Sequence, residues 1–159
     1  MSDISDNTVC FFGHRFIDES EELRRRLYKT IEDLIQNRQV TVFLFGSKSQ
    51  FDDLCYKTVS ELMGKYSYIK RVYVRAEFPF INEDYRNYLL EGFEDTYYPE
   101  RMIKSGRAAY VERNREMIDK SRFCLFYYDE SYTPPNRKSG TKIAYDYAAK
   151  KKREIINVI

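Results

Sequence analysis

Five short apolar runs punctuate the chain, at Thr8 to Phe12, Val40 to Phe45, Ile69 to Val74, Phe123 to Tyr128 and Ile155 to Val158. They are continuous rather than alternating, so each reads as a strand buried on both faces, the pattern of a parallel sheet between layers of helix. Helical spacing fills most of the gaps. Asp18-Glu19-Ser20 can cap a helix in which Leu23, Leu27, Ile31, Leu34 and Ile35 share one face to about Asn37. Phe51 to Met63, Ala108 to Ser121 and Gly140 to Lys151 repeat the period. Strands alternating with helices imply crossover connections. The expected fold is a single Rossmann-like α/β domain over residues 1–159, with a five-stranded parallel sheet and helices on both faces. A long tyrosine-rich insertion after the third strand, from Arg75 to about Gly106, holds one short helix near Asp84 to Glu91 and reads as a lid or binding loop.

A chain of 159 residues suits one domain with a real core. Its 27 basic and 25 acidic residues are interleaved, with a net charge of +2, and this balance sets nucleic acid aside as a partner. Cys10, Cys55 and Cys124 are odd in number and lie in apolar patterns, so reduced core thiols and a cytoplasmic location are expected. The sequence has neither a signal peptide nor an apolar stretch of membrane-spanning length, which argues against a membrane partner. One histidine and three scattered cysteines offer no metal-ligand spacing, and no cofactor is implied. A homo-oligomer is left open.

Ligands of open parallel sheets bind beyond the carboxyl ends of the strands. Three groups should gather along that rim: Gly13-His14-Arg15 after the first strand, Gly46-Ser47-Lys48-Ser49 after the second, and Tyr128-Asp129-Glu130 after the fourth. Gly13 and Gly46 either turn the chain or let backbone approach a ligand. His14 and Arg15 together suit a phosphate or carboxylate, although Arg15 could instead pair with Asp18 or Glu19. Lys138-Ser139-Gly140-Thr141 opens a helix, where backbone N–H groups and hydroxyls can meet an anion. Asp52 and Asp53 stand in a first helical turn, one suited to capping and the other to accepting from ribose hydroxyls. Tyr97, Tyr98 and Tyr110 could stack on a base, and Lys150 to Arg153 complement a helix carboxyl end.

The segments CFFGHR, FGSKSQFDDL, YVERNREMIDKSRFCLFYYD and SGTKIAYDYA occur in the order and spacing of the SLOG superfamily, which holds the DNA-processing protein A and Lonely Guy families. The chain resembles its small bacterial and phage-borne members with an FGHR or TGHR start, over nearly its whole length. The resemblance implies a nucleotide or nucleotide-derived ligand, and in some members cleavage of nucleoside monophosphates at the N-glycosidic bond. Glu112 to Met117 is similar to the E-R-K-x-x-M helix of the Lonely Guy pattern, which assigns Arg113 to substrate contact, with Asn114 in place of the lysine. Gly140-Thr141 is similar to the end of the P-G-G-x-G-T-x-x-E phosphate loop.

Two departures bear on chemistry. Arg137-Lys138 replaces the glycine pair, and Lys142, Ile143 and Ala144 follow Thr141 where the enzymes carry glutamate. An oxocarbenium-like transition state wants a carboxylate nearby, which here would have to come from Asp52, Glu112 or Asp129. The expected function is therefore binding, as sensor or sequestering protein, of a nucleotide-derived small molecule such as an ADP-ribose-like compound. The ligand-binding residues expected are Gly13, His14, Arg15, Gly46, Ser47, Asp52, Arg113, Asp129, Ser139, Gly140 and Thr141. A nucleotide N-glycosidase is the first alternative, and a single-stranded DNA-binding module the second.

Overall fold

The computed structural model describes residues 5–131 and 139–159. Six strands form one sheet: β1 (Ser5–Gly13), β2 (Val42–Phe45), β3 (Lys70–Val74), β4 (Asp95–Tyr97), β5 (Ser121–Tyr127) and β6 (Glu154–Asn157). Between them run α1 (Glu21–Arg38), α2 (Gln50–Leu62), α3 (Glu83–Leu90), α4 (Arg107–Lys120) and α5 (Gly140–Lys150). The strand order is β4-β3-β2-β1-β5-β6, and every neighbouring pair is parallel.

The apolar runs are continuous because each strand feeds two cores. Val9, Phe11, Phe43, Phe45, Phe123 and Leu125 face one side, where α1 and α2 cover them with Leu27, Ile31, Leu34, Phe51 and Val59. Cys10, Phe12, Leu44, Cys124 and Phe126 face the other, against Met117 and Ile118 of α4 and Ala144 and Ala148 of α5. All three cysteines are free and buried. Serines start three of the helices: the side chains of Ser20, Ser49 and Ser139 accept from the backbone N–H groups of Leu23, Asp52, and Thr141 with Lys142, respectively.

The expected five strands become six. Asp95, Thr96 and Tyr97 pair with Val72, Tyr73 and Val74 and add an edge strand inside the segment read as a loop. Only Thr96 of the three is buried, so the strand has no apolar run to announce it. The short helix of that segment is present as α3, with Asn82 capping it. The Pro134-Pro135 loop lies outside the described residues, as do Arg137 and Lys138. Arg153, in the basic cluster at the end of α5, donates to the carbonyls of Ile118 and Asp119 at 2.9 and 3.1 Å and so closes the carboxyl end of α4.

Gly13 ends β1 where α2 begins. A Cβ built there would lie 2.4 Å from the ring of Phe51, closer than any tolerated contact. Gly13→Ala is therefore expected to destabilise the fold by about 1–3 kcal/mol through overpacking, a loss read directly from urea unfolding. An unchanged midpoint would mean that Phe51 moves freely, contrary to its complete burial.

Candidate functional site

The chain runs from β1 outward through β2, β3 and β4, then returns to place β5 on the other side of β1. The reversal puts the crevice of the fold between the carboxyl ends of β1 and β5. His14 spans it. Its Nε2 accepts from the backbone N–H of Asp129 at 2.9 Å, and only 3% of the residue is exposed. Burial lowers the imidazole pKa from its usual 6.5. With Nε2 as acceptor the ring is neutral and carries its proton on Nδ1, so His14 ties two loops together rather than supplying a positive charge.

Arg15 is exposed, lies 5.7 Å over the ring of Phe16, and makes no ion pair with Asp18 or Glu19. Its carbonyl accepts from Gln50 N–H at 2.9 Å, which joins the loop after β1 to the start of α2. The carboxylate of Asp129 accepts from the N–H and hydroxyl of Ser131 at 2.9 and 2.6 Å, and these bonds hold its pKa low.

The loop after β2 carries the most unusual chemistry. Arg113 is 4% exposed, and its Nη1 donates to the carbonyl of Gly46 at 2.6 Å, while Nε donates to Asn114 Oδ1 at 3.2 Å. A side chain at position 46 would meet Arg113 Nε at 2.8 Å and Met117 Sδ at 2.9 Å. Gly46 is thus the gap through which the guanidinium reaches the rim. Below it Asp52 is 3% exposed, accepts from the Ser47 hydroxyl through Oδ2, and has no partner for Oδ1. Desolvation pushes Asp52 up to about 7, against the opposing pull of the Ser47 hydrogen bond and the Arg113 charge. Burial likewise disfavours the charged form of Arg113. Ser49 takes the capping role expected of Asp52 or Asp53.

Tyr110 lies one helical turn before Arg113, with the guanidinium 5.5 Å from its ring centroid and its hydroxyl bonded to Glu77. Tyr97 of β4, by contrast, donates to Glu116 of α4 at 2.8 Å. Ser139 and Thr141 are buried at the start of α5, and Gly140 between them is exposed with open space where a Cβ would stand. Of the three carboxylates considered for glycosidic chemistry, Glu112 is engaged by the N–H groups of Ile103 and Lys104, and Asp129 by Ser131. Of the three, only Asp52 keeps a buried oxygen without a hydrogen-bond partner. Sequence reasoning passed over Arg75, buried just beyond β3; its signal was a cation directly after an apolar run, as at His14-Arg15. A cleft of about 520 Å³ lies elsewhere, at the amino ends of the strands, lined by Val42, Leu44, Val72 and Tyr97 among others. Among the described residues, no helix is long and apolar enough to cross a membrane, and no cluster of His, Cys, Asp or Glu could hold a metal ion.

No protein-family model and no curated protein matches the chain. Its fold has a neighbour. The chain is similar to DNA processing protein A from Helicobacter pylori, described for its unique single-stranded DNA binding mode, with a TM-score of 0.57 and 14% identity. The similarity covers 97% of this chain and 64% of the other, so the chain spans under two thirds of that protein's length. At this identity the likeness is one of fold. It also corrects an expectation: the charge balance of the whole chain set nucleic acid aside, whereas the neighbour in fold binds single-stranded DNA. A small net charge averages over a surface and does not exclude a local site on one rim.

Proposed function

We propose that the carboxyl rim binds the phosphate-bearing part of a nucleotide-derived small molecule, such as an ADP-ribose-like compound, and holds it without cleaving it. The observation that carries this reading is the buried Arg113 guanidinium under the Gly46-Ser47 loop, with Asp52 beside it. Burying a guanidinium and a carboxyl with an orphaned oxygen costs free energy that a merely structural loop would avoid. Beside a nucleotide these groups gain partners, a phosphate or sugar oxygen for Arg113 and a ribose hydroxyl for Asp52. The N–H groups opening α5 at Gly140 and Thr141 add an anion-binding helix end, and Arg15 adds an exposed charge after β1. Membership of the FGHR-start branch of the SLOG group, in one domain and a cytoplasmic setting, belongs to the same reading.

Calorimetry with AMP, ADP-ribose and NAD, followed by chromatography for released base, tests it. Binding without released base is expected; robust release abolished by changing Asp52 would promote the glycosidase reading. Gly140→Leu is expected to weaken nucleotide binding about tenfold while leaving the melting temperature unchanged, because open space surrounds the glycine. Equal affinity in that variant would remove the α5 end from the site.

The fold neighbour favours a second reading, in which the same rim takes a nucleotide unit of single-stranded DNA. Oligonucleotide binding across a salt series measures it, since each phosphate neutralised steepens the dependence by about 0.7 in the logarithmic slope.

A further inference from the structure

The loop leaving β3 holds a second cationic group that the reading above does not use. Arg75 is 8% exposed, and its Nη1 donates to the carbonyl of Phe78 at 3.1 Å. Its Nε is buried without a hydrogen-bond partner, and it enters no ion pair among the described residues. Arg86 of α3 adds a like charge close enough to oppose that of Arg75. A buried guanidinium is ordinarily paired, and Arg75, with the exposed Arg86 repelling it, lacks a counter-anion among the described residues.

Their surroundings are aromatic. Phe78 meets Tyr85 edge-on with centroids 5.9 Å apart, and Tyr85 stacks on Tyr88 at 6.2 Å and 14°. Phe78 and Tyr88 are 56% and 65% exposed, and α3 buries only Leu89, so these rings contribute little to the core. Phe78 also holds a φ of +59°, a strained conformation for a bulky residue and one that collects at ligand sites. The nearby acids have other work: Glu77 takes the Tyr110 hydroxyl, and Glu83 and Asp84 sit in the first turn of α3.

We propose that Arg75 and Arg86, flanked by the Phe78–Tyr85 ring pair, form a second phosphate subsite, so that the rim takes a ligand with two phosphate groups separated by a nucleoside. The inference rests on the rim reading and deepens it. The rim site extends from Arg113 under the β2 end to Arg15 after β1, and the carboxyl ends of β1 and β3 lie two strand spacings, about 10 Å, apart, too far for one pyrophosphate and suited to phosphates on either side of a nucleoside. Tyr110 links the two regions, bonded to Glu77 on the β3 side and packed on Arg113 on the β2 side. A phosphorylated dinucleotide and a single DNA strand share this chemistry.

The test is calorimetry on the full chain with two matched pairs of probes, NAD against NADP and dTMP against oligothymidylate, for wild type, Arg86→Glu and Arg75→Gln. The longer or extra-phosphorylated member of one pair is expected to bind at least tenfold tighter to wild type, and to lose that advantage in Arg86→Glu while its partner's affinity holds. The pair that shows the gain identifies the source of the second phosphate. Arg75→Gln repeats the loss if it stays folded; Arg86, on the exposed helix, carries the test if it does not. Equal affinity within both pairs, or an advantage that survives Arg86→Glu, overturns the subsite and leaves the rim reading standing. If no probe binds wild type, the rim reading falls and the subsite with it.

Discussion

Replacing Asp52 by Asn is expected to abolish most of the loss of stability that the chain suffers as pH rises from about 4 to 7. The folded protein keeps this carboxyl neutral to about 7 because burial outweighs the Ser47 hydrogen bond and the Arg113 charge. The unfolded chain ionises it from 3.8 upward. Across that window the folded state binds more protons, so folding stability falls as pH rises and levels off above 7. The full gap corresponds to about 4 kcal/mol, an upper bound for a group whose surroundings can relax. Asparagine cannot ionise and escapes the loss. His14 acts with the opposite sign, since its lowered pKa withdraws stability as pH falls below 6.5, but it does so equally in both proteins and cancels in their difference. Urea unfolding of the pair from pH 4 to pH 8 reads the effect. Parallel stability curves would show that Asp52 is already ionised in the fold.

Arg113→Ala is expected to weaken nucleotide binding at least tenfold, about 1.5 kcal/mol or more for a lost charge-assisted bond. Folding should suffer as well, by about 3 kcal/mol, because the Gly46 carbonyl loses its donor and the space beside Met117 empties. Arg113→Lys separates the two effects. It keeps a charge but not the planar fork, so it should recover stability more fully than affinity. Calorimetry on the folded fraction settles the role, and an affinity within twofold of wild type in Arg113→Ala would remove the residue from the site.

Burial on both faces makes a strand visible in sequence, which is why β1, β2 and β5 could be read from Val9 to Phe12, Phe43 to Phe45 and Phe123 to Phe126. The edge strand β4 could not, because Asp95-Thr96-Tyr97 carries no apolar run: it is held by the hydrogen bonds of β3, and only Tyr97 packs against the core. Site residues divide along a similar line. Gly46 and Arg113 were legible as a strand-end glycine and a motif arginine, yet their contact spans 67 positions and no spacing rule forecasts it. His14 was legible as a rim residue but not as a neutral one, since its charge depends on an N–H arriving from Asp129. Gly13 serves the packing of Phe51, a helix contact hidden from any reading of its own strand.

The reversal of strand order has a consequence for how the molecule assembles. Cys10 of β1 pairs with Cys124 of β5, so the centre of the sheet closes across 114 positions, whereas β1, β2 and β3 join through shorter connections. Loop closure over such a distance is slow relative to local pairing. During refolding, the half of the sheet from β1 to β4 can form first, leaving the inner edge of β1 unsatisfied until β5 docks. The crevice between His14 and Asp129 exists only after that step, so binding competence should appear late, together with the last phase of β-structure rather than with the early helical signal.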